Sequence, residues 1–336
     1  MSSGVKNKTI TTIIINWNHG HFLKDCFTAL LAQNYPSFEM IVADNGSTDG
    51  SPEWIARHYP QVSLLRFPYN RGFSEAFNRA VAAADSPFIL SLNPDVVVAP
   101  NFLHELLQAI NQDEGIGMAA PKLLQAGNPA ILDSTGLFID RRRRPYDRGQ
   151  GEPDLGQYDA QTAIFGACGG AALYRRTMLD DLALDGEYFD EDFFAYYEDA
   201  DLAWRAQGRG WRCVYAPQAV ASHRRGAGDT LRKQKDRPHS LGPRLALCNR
   251  YLMLLKNDHP LHLLVDLPLI LAAELPRLAY MALKLPHSLL GLEDLARKWP
   301  SAWRKRRQIH QQRTTAGAAL RRWFIRPQKE TVKDLK

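Results

Sequence analysis

Four short apolar runs between residues 9 and 98 constrain this chain most, because each ends abruptly in small polar or acidic residues and a helical pattern separates it from the next. The runs cover residues 9–15, 39–43, 62–67 and 87–92, and their Ile, Val and Phe content reads as strand. Phe22, Leu23, Phe27, Leu30 and Leu31 recur at helical spacing up to Gln33; residues 52–58 and 73–84 also read as helix, with Ser51 as N-cap and Pro52 at the first helical position. Strands alternating with helices at this spacing predict a mostly parallel sheet with right-handed crossovers. In such a sheet the carboxyl ends of the strands share one edge, where ligands bind. That edge collects Asn16, Asp44 with Asn45, Asn70 with Arg71, and Asp95.

The last run stops at Asn93-Pro94-Asp95 and resumes as Val96-Val97-Val98, so one acid is flanked by apolar residues on both sides. All three corner residues favour turns, which is the plain explanation. The other is a carboxylate that holds a divalent cation against a phosphate, since hard cations take oxygen ligands. There is no GxxxxGK[ST] and no GxGxxG after the first strand, which disfavours a P-loop nucleotidase and a dinucleotide dehydrogenase. Phosphate must then be neutralised differently, and a metal on Asp95 is the economical answer. An acid reading a base or ribose, with Arg71 gripping a diphosphate, would use the remaining edge residues.

Composition narrows the class. The 336 residues are 45% hydrophobic and 23% charged, which is globular. Cys26, Cys168, Cys213 and Cys248 are far apart and form no CxxC pair, so a zinc site or disulfide framework is not expected. With no apolar core of a signal peptide in the first eight residues, the expectation is a reducing, cytosolic setting. Residues 295–329 hold eleven Lys/Arg and no Asp/Glu; against a net charge of +6, the remainder carries −5. The basic character is an appendage, and with no base-reading motif a nucleic-acid partner is not expected.

Residues 101–111 read as an amphipathic helix, 115–124 as a strand, and 211–215 as a further strand. Arg141-Arg142-Arg143-Arg144 opens a stretch that is either a solvated charge run or a lid whose arginines meet phosphate. Phe165-Gly166-Ala167-Cys168-Gly169-Gly170 is small and apolar, which lets backbone approach a ligand closely. Six acids fall between Asp190 and Asp201, interleaved with Phe193, Phe194, Tyr196 and Tyr197. A helix N-terminus favours acids there, but caps need no aromatic run, and aromatic walls raise a carboxylate's pKa and hold a sugar ring. A lone His223, followed by Arg224, Arg225, Gly226, Ala227 and Gly228, is usually structural. Asn249, Arg250 and Tyr251 are expected to open the next helix and close the site from above.

Taken in order, Ile13-Ile14-Ile15-Asn16-Trp17-Asn18, Ile41-Val42-Ala43-Asp44-Asn45-Gly46-Ser47-Thr48-Asp49-Gly50, Asn70-Arg71-Gly72-Phe73 with Asn78, and Leu92-Asn93-Pro94-Asp95 resemble glycosyltransferase family 2, nearest its rhamnosyltransferase-like branch, over residues 9–257. The resemblance implies a GT-A fold, that is, a Rossmann-like, mostly parallel α/β sheet flanked by helices. It further implies a nucleotide-diphosphate sugar donor, a divalent metal (Mg or Mn), and inversion at the anomeric carbon. The family's corner is often Asp-x-Asp; Asn93 replaces the first acid here, which leaves metal binding to Asp95 and a ribose contact to Asn93. By the same resemblance Glu198-Asp199 with Asp201 and Arg205 is the acidic motif, with Asp199 the general base and Glu198 binding the acceptor. His223 becomes a second metal ligand, and Asn16, Asp44, Asn45, Arg71, Asn93 and Asp95 the donor-binding set. A dTDP-rhamnose donor and a lipid-linked or polysaccharide acceptor of the cell envelope rest on the branch alone; UDP-galactofuranose, UDP-GlcNAc or UDP-glucose are the alternative donors. A non-catalytic glycan- or nucleotide-binding module is the other alternative, though it would have no use for the acids.

The expected organisation is a glycosyltransferase domain over 1–257 and a basic helical C-terminal region over 258–336. Residues 261–292 are strongly apolar, but Asp266, Glu274, Arg277 and Lys284 interrupt them and Pro268, Pro276 and Pro286 break them, so no span is expected. Two or three amphipathic helices remain. Either they lie on a membrane through 261–329, at the inner face of the plasma membrane, with Trp299, Trp303 and Trp323 in the interface, or they pack on the core or another subunit of a homo-oligomer.

Overall fold

A computed structural model describes residues 8–225 and 241–324 of the chain; Gly226, Ala227, Gly228, Arg326 and Lys329 lie outside the described residues. The alternating pattern folds as a parallel array. Strands β1 (Ile10–Asn16), β2 (Phe38–Asp44), β3 (Ser63–Arg66) and β4 (Phe88–Leu92) are joined by helices α1 (Gly20–Leu31), α2 (Ser51–His58) and α3 (Phe73–Ala82). β1 pairs in parallel with both β2 and β4, and β2 with β3. All five residues of β4 are buried, as an apolar run covered on both faces requires.

The chain then adds β5 (Val96–Val98), α4 (Phe102–Ile110), β6 (Ile116–Gln125), β7 (Asn128–Ser134), β8 (Leu137–Ile139), β9 (Pro145–Asp147), β10 (Ala163–Ile164), β11 (Ala171–Arg175), α5 (Arg176–Leu182), α6 (Glu198–Arg209) and β12 (Arg212–His223). The main sheet runs β10-β12-β6-β11-β4-β1-β2-β3, with β5 on β12 and β7 on β6. β11 is antiparallel to β4 and β6, so it carries the small-residue segment back across the carboxyl edge. Among the described residues the C-terminal helices are α7 (Leu241–Asn257), α8 (Pro260–Lys284), α9 (Leu290–Gln312) and α10 (Gly317–Arg321).

Several local expectations are corrected. Ser51 lies inside α2; the cap is Gly50 in the left-handed region (φ 79), and the Ser51 hydroxyl instead donates to Asp49 at 2.5 Å. β12 runs well past residue 215, because a register shift between Ala216 and Val220 absorbs Pro217. Pro268 and Pro276 do not break α8; both lie within it, on its exposed side. Asn249, Arg250 and Tyr251 lie mid-helix in α7, where Asn249 and Arg250 are buried. Arg143 is neither solvated nor in a lid. It is fully buried between Asp258 and Asp266, 2.9 Å from each, under the Phe324 ring. Its counter-charges come from the junction between α7 and α8 and from α8, which no local pattern reveals. Trp323 is half-buried and donates to Gln207 at 3.0 Å, while Trp299 and Trp303 are exposed.

Candidate functional site

The corner after β4 is a turn and also presents an acid. Val96 N–H donates to the Asn93 carbonyl at 3.2 Å, and Asn93 N–H donates to the Gly170 carbonyl at 3.0 Å. Asp95 is 4% exposed. β5 and β12 pair so that His223 stands opposite Val96, one residue from Asp95. His223 Nε2 is 3.5 Å from Asp95 Oδ1, and Nδ1 is 2.8 Å from Asp133 Oδ2. Asp133 also accepts from Arg225 Nε at 2.5 Å. Burial alone would lower the His223 pKa; hydrogen bonds to Asp133 and Asp95 outweigh it and raise the value to about 9.

This set suits a divalent cation. A carboxylate oxygen and an imidazole nitrogen face one another; with a cation between them Nε2 would give up its proton, while the second carboxylate behind the imidazole would keep the other proton on Nδ1 and leave Nε2 forward. Among the described residues no group of three or more His, Cys, Asp or Glu could hold a metal. Asp95 and His223 therefore supply two donors, and further ligands would have to come from water or a bound molecule, as for cations shared with a diphosphate.

The acidic motif arrives on a strained loop. Phe194, Tyr196 and Tyr197 have φ of 63, 73 and 73°, the left-handed region that costs a non-glycine residue roughly 1–3 kcal/mol each where strain is stored. Two clamps hold the loop. The Phe194 carbonyl accepts from Phe73 and Ser74 N–H at 2.5 and 3.2 Å, under a Gly72 whose added Cβ would lie 2.6 Å from Phe194. Asn249 Nδ2 donates to the carbonyls of Phe193, Ala195 and Tyr196, each at 2.8 Å. The loop delivers Glu198 and Asp199 in the first turn of α6.

Asp199 Oδ2 accepts from Gly169 N–H at 2.8 Å and Oδ1 from Ala200 N–H at 2.7 Å. Burial raises the Asp199 pKa against these two donors. Burial and the neighbouring Asp199 charge raise Glu198 further. Glu198 Oε2 is buried without a hydrogen-bond partner among the described residues. Gly169 and Gly170 join the two halves. A Cβ on Gly169 would lie 3.3 Å from Asp199 Oδ2, and one on Gly170 would lie 3.0 Å from His223 Cε1. Two adjacent glycines thus have the acid pair on one side and the His223–Asp95 pair on the other. A Cβ at either position would press on these side chains, so glycine suits both approaches.

The other strand-end residues build the rim of the same edge. Asn16, buried, donates to Asp44 Oδ1 at 2.9 Å and to the Ser51 hydroxyl at 2.8 Å. Asn45, also buried, donates to Asn70 Oδ1 and the Gly72 carbonyl and accepts from Arg71 N–H at 2.8 Å. Both amides are engaged in tying loops together, although Asn16 Oδ1 has no partner among the described residues. Arg71 is held by Glu75 at 2.6 Å and lies over the Tyr69 ring. Asn93 is half-buried.

Residues 11–183, which are 173 of the chain's 336, match the family described as Glycosyl transferase family 2. The chain belongs to glycosyltransferase family 2. The N-acetylglucosaminyl-diphospho-decaprenol L-rhamnosyltransferase of Mycobacterium tuberculosis is 26% identical over 249 residues, covering 64% of this chain and 75% of that protein. The poly-beta-1,6-N-acetyl-D-glucosamine synthase of Staphylococcus aureus is 23% identical over 213 residues, covering 63% of this chain and 48% of that one. Among solved structures, S. aureus TarS 1–349 in complex with UDP superposes with a TM-score of 0.55 at 16% identity, over 94% of this chain and 90% of that one. The Pyrobaculum calidifontis mannosyltransferase PcManGT in complex with GDP-Man and Mn2+ gives 0.53 at 19%, over 95% and 84%. The fold is GT-A: the mixed, mostly parallel sheet between helices, with helices added at the C-terminus, is shared with these structures.

In this family 2 glycosyltransferase two site residues escape sequence reasoning. Asp133 ends an apolar run, Ile131-Leu132, as Asp95 follows one, and that signature could have flagged it. His19, at the mouth of α1, is close enough for Asp95 to oppose its burial; burial dominates and lowers its pKa. Nothing in a lone His after Asn18 distinguishes it.

Proposed function

We propose that this glycosyltransferase moves a sugar from a nucleotide-diphosphate donor to an acceptor hydroxyl with inversion, and that residues 1–257 carry this chemistry while 258–336 buttress it. The observation that carries the reading is the Gly169–Gly170 bridge, which has Asp199 on one side and His223 beside Asp95 on the other. Inversion needs a base on the face opposite the leaving diphosphate, and this pairing supports that division. Asp199 takes the acceptor proton. The Gly169 and Ala200 N–H groups aim its carboxylate, and its raised pKa makes it a better base than an ordinary aspartate. Glu198, with one oxygen unpartnered, orients the acceptor. Asp95 and His223 would hold a divalent metal, Mg or Mn, that stabilises charge on the departing diphosphate as a Lewis acid. Asp44 and Arg71, on the rim with Asn16, Asn45 and Asn93, meet the nucleotide.

The preferred donor is dTDP-rhamnose, supported by the mycobacterial relative, and its name also supports a lipid-linked acceptor in cell-envelope glycan synthesis. The staphylococcal synthase favours a GlcNAc donor as second reading. A panel of dTDP-, UDP- and GDP-sugars with Mn²⁺ or Mg²⁺, read by donor turnover and thermal shift, separates them. Asp199→Asn is expected to lose roughly 10²–10⁴-fold in turnover while still binding donor. Unchanged turnover refutes the assigned base, and a protein that binds donors but never transfers is the non-catalytic module.

A further inference from the structure

Helix α8 (Pro260–Lys284) is built inside out. Its inward face carries Asp266 and Glu274, both buried, with Ile270 and Met281. Asp266 is paired with Arg143 at 2.9 Å and Arg141 at 2.6 Å, and Glu274 with Arg250 at 2.8 Å and Arg277 at 3.0 Å. Between Leu261 and Leu283 there are no other Asp, Glu, Lys or Arg, so the outward face is uncharged. That face presents Leu261 (65% exposed), Leu264 (66%), Val265 (55%), Leu275 (62%) and Leu283 (81%). An ordinary surface helix has the opposite arrangement. A continuous apolar face of this length, about 34 Å at 1.5 Å per residue, marks a surface that is covered in use.

The rim identifies the cover. Arg141, Arg144 and Arg321 reach the helix's acids from its flanks (2.6 Å to Asp266, 3.9 Å to Glu274 and 3.8 Å to Asp266), yet their side chains stay 48%, 40% and 41% exposed. Lys284 is exposed at the helix end. A second copy docked two-fold would set this cationic rim against itself. A lipid leaflet with anionic headgroups meets both the apolar face and the rim. No described helix is long and apolar enough to cross a membrane, so the helix would lie flat.

We propose that α8 seats the protein on an anionic membrane surface, its leucines among the acyl chains and Arg141, Arg144, Arg321 and Lys284 at the headgroups. The purpose, reaching a lipid-linked acceptor, rests on the proposed function; the lipid contact itself does not. The test is co-sedimentation of the full chain with vesicles of phosphatidylcholine alone or with about one-third phosphatidylglycerol, without donor. Wild type is expected to favour the anionic vesicles at least about tenfold, less so at high salt. The triple variant Leu264→Asp, Leu275→Asp, Leu283→Asp changes only exposed positions, so its melting temperature should hold while vesicle binding falls at least about tenfold. Equal binding by wild type and a folded triple variant overturns the proposal. So does a wild-type dimer that ignores vesicles and that the triple variant dissociates, as seen by light scattering. Vesicle binding without sugar transfer would sink only the transfer reading; transfer to a soluble acceptor without vesicle binding would sink only this one.

Discussion

Asn249→Ala tests whether the geometry of the acid motif is imposed from the C-terminal helices. The amide nitrogen faces three carbonyls of the loop before Glu198, each at 2.8 Å, but carries only two hydrogens. At about 0.5–1.5 kcal/mol net per hydrogen bond, and more where a buried carbonyl is stranded, its removal costs roughly 2–3 kcal/mol. The loop has somewhere to go, because Phe194, Tyr196 and Tyr197 are held at positive φ and each gains by relaxing. Relaxation of Ala195 to Tyr197 moves Glu198 and Asp199, while Phe194 stays clamped at Phe73 and Ser74 beside the donor rim. At about 1.36 kcal/mol per decade, the expected loss is roughly 30- to 150-fold in kcat, with donor KM little changed. Steady-state sugar transfer measures that loss, and thermal unfolding measures the stability change of similar size. Asn249→Asp should be worse, since it turns an acceptor toward three carbonyls. An Asn249→Ala enzyme that melts lower yet keeps kcat within about twofold refutes the reasoning. So does an Asn249→Asp enzyme equal to the alanine variant.

Two further outcomes follow from the same geometry. Asp133 holds His223 Nδ1 at 2.8 Å, so Asp133→Asn should weaken Mn²⁺ binding about 10–100-fold by calorimetry in the presence of nucleoside diphosphate, and unchanged affinity would reject its orienting role. Glu198 has a folded pKa raised by burial and by Asp199, so the stability it allows is complete below the ordinary carboxylate range and is lost as pH rises through the folded value. Glu198→Gln should therefore melt above wild type at about pH 8, the gap closing toward pH 4; a gap independent of pH would show that Glu198 does not titrate as a buried acid.

The parts of this fold that were legible in the sequence are those whose cause is local. Ile10 to Asn16 is a strand because β-branched residues crowd it, and Asp95 stood out because an acid sits between two apolar runs. Whatever depends on strand register or a distant counter-charge could not be read from the local pattern; the family resemblance alone pairs His223 with Asp95. His223 meets Asp95 only because β12 pairs with β5 in one register out of several, and a one-residue slip would turn its ring to the other face. The four arginines from Arg141 resemble a solvated run until Asp258 and Asp266 arrive more than a hundred positions later.

The same non-local charges tie the C-terminal helices to the acidic segment. Lys256 of α7 reaches Asp190 at 2.5 Å and Asp201 at 2.8 Å, and Lys305 of α9 reaches Asp190 at 2.6 Å, all of them buried. Asp190 and Asp201 bracket Glu198 and Asp199, so the two lysines pin both ends of the segment whose middle Asn249 clamps. Burying such pairs gains little stability over an apolar core, but it fixes one arrangement, because any other leaves a charge unpaired at a cost of several kcal/mol. A strained loop between two such anchors holds the Glu198–Asp199 pair in place, and the Gly169 and Ala200 N–H groups then fix the Asp199 carboxylate itself.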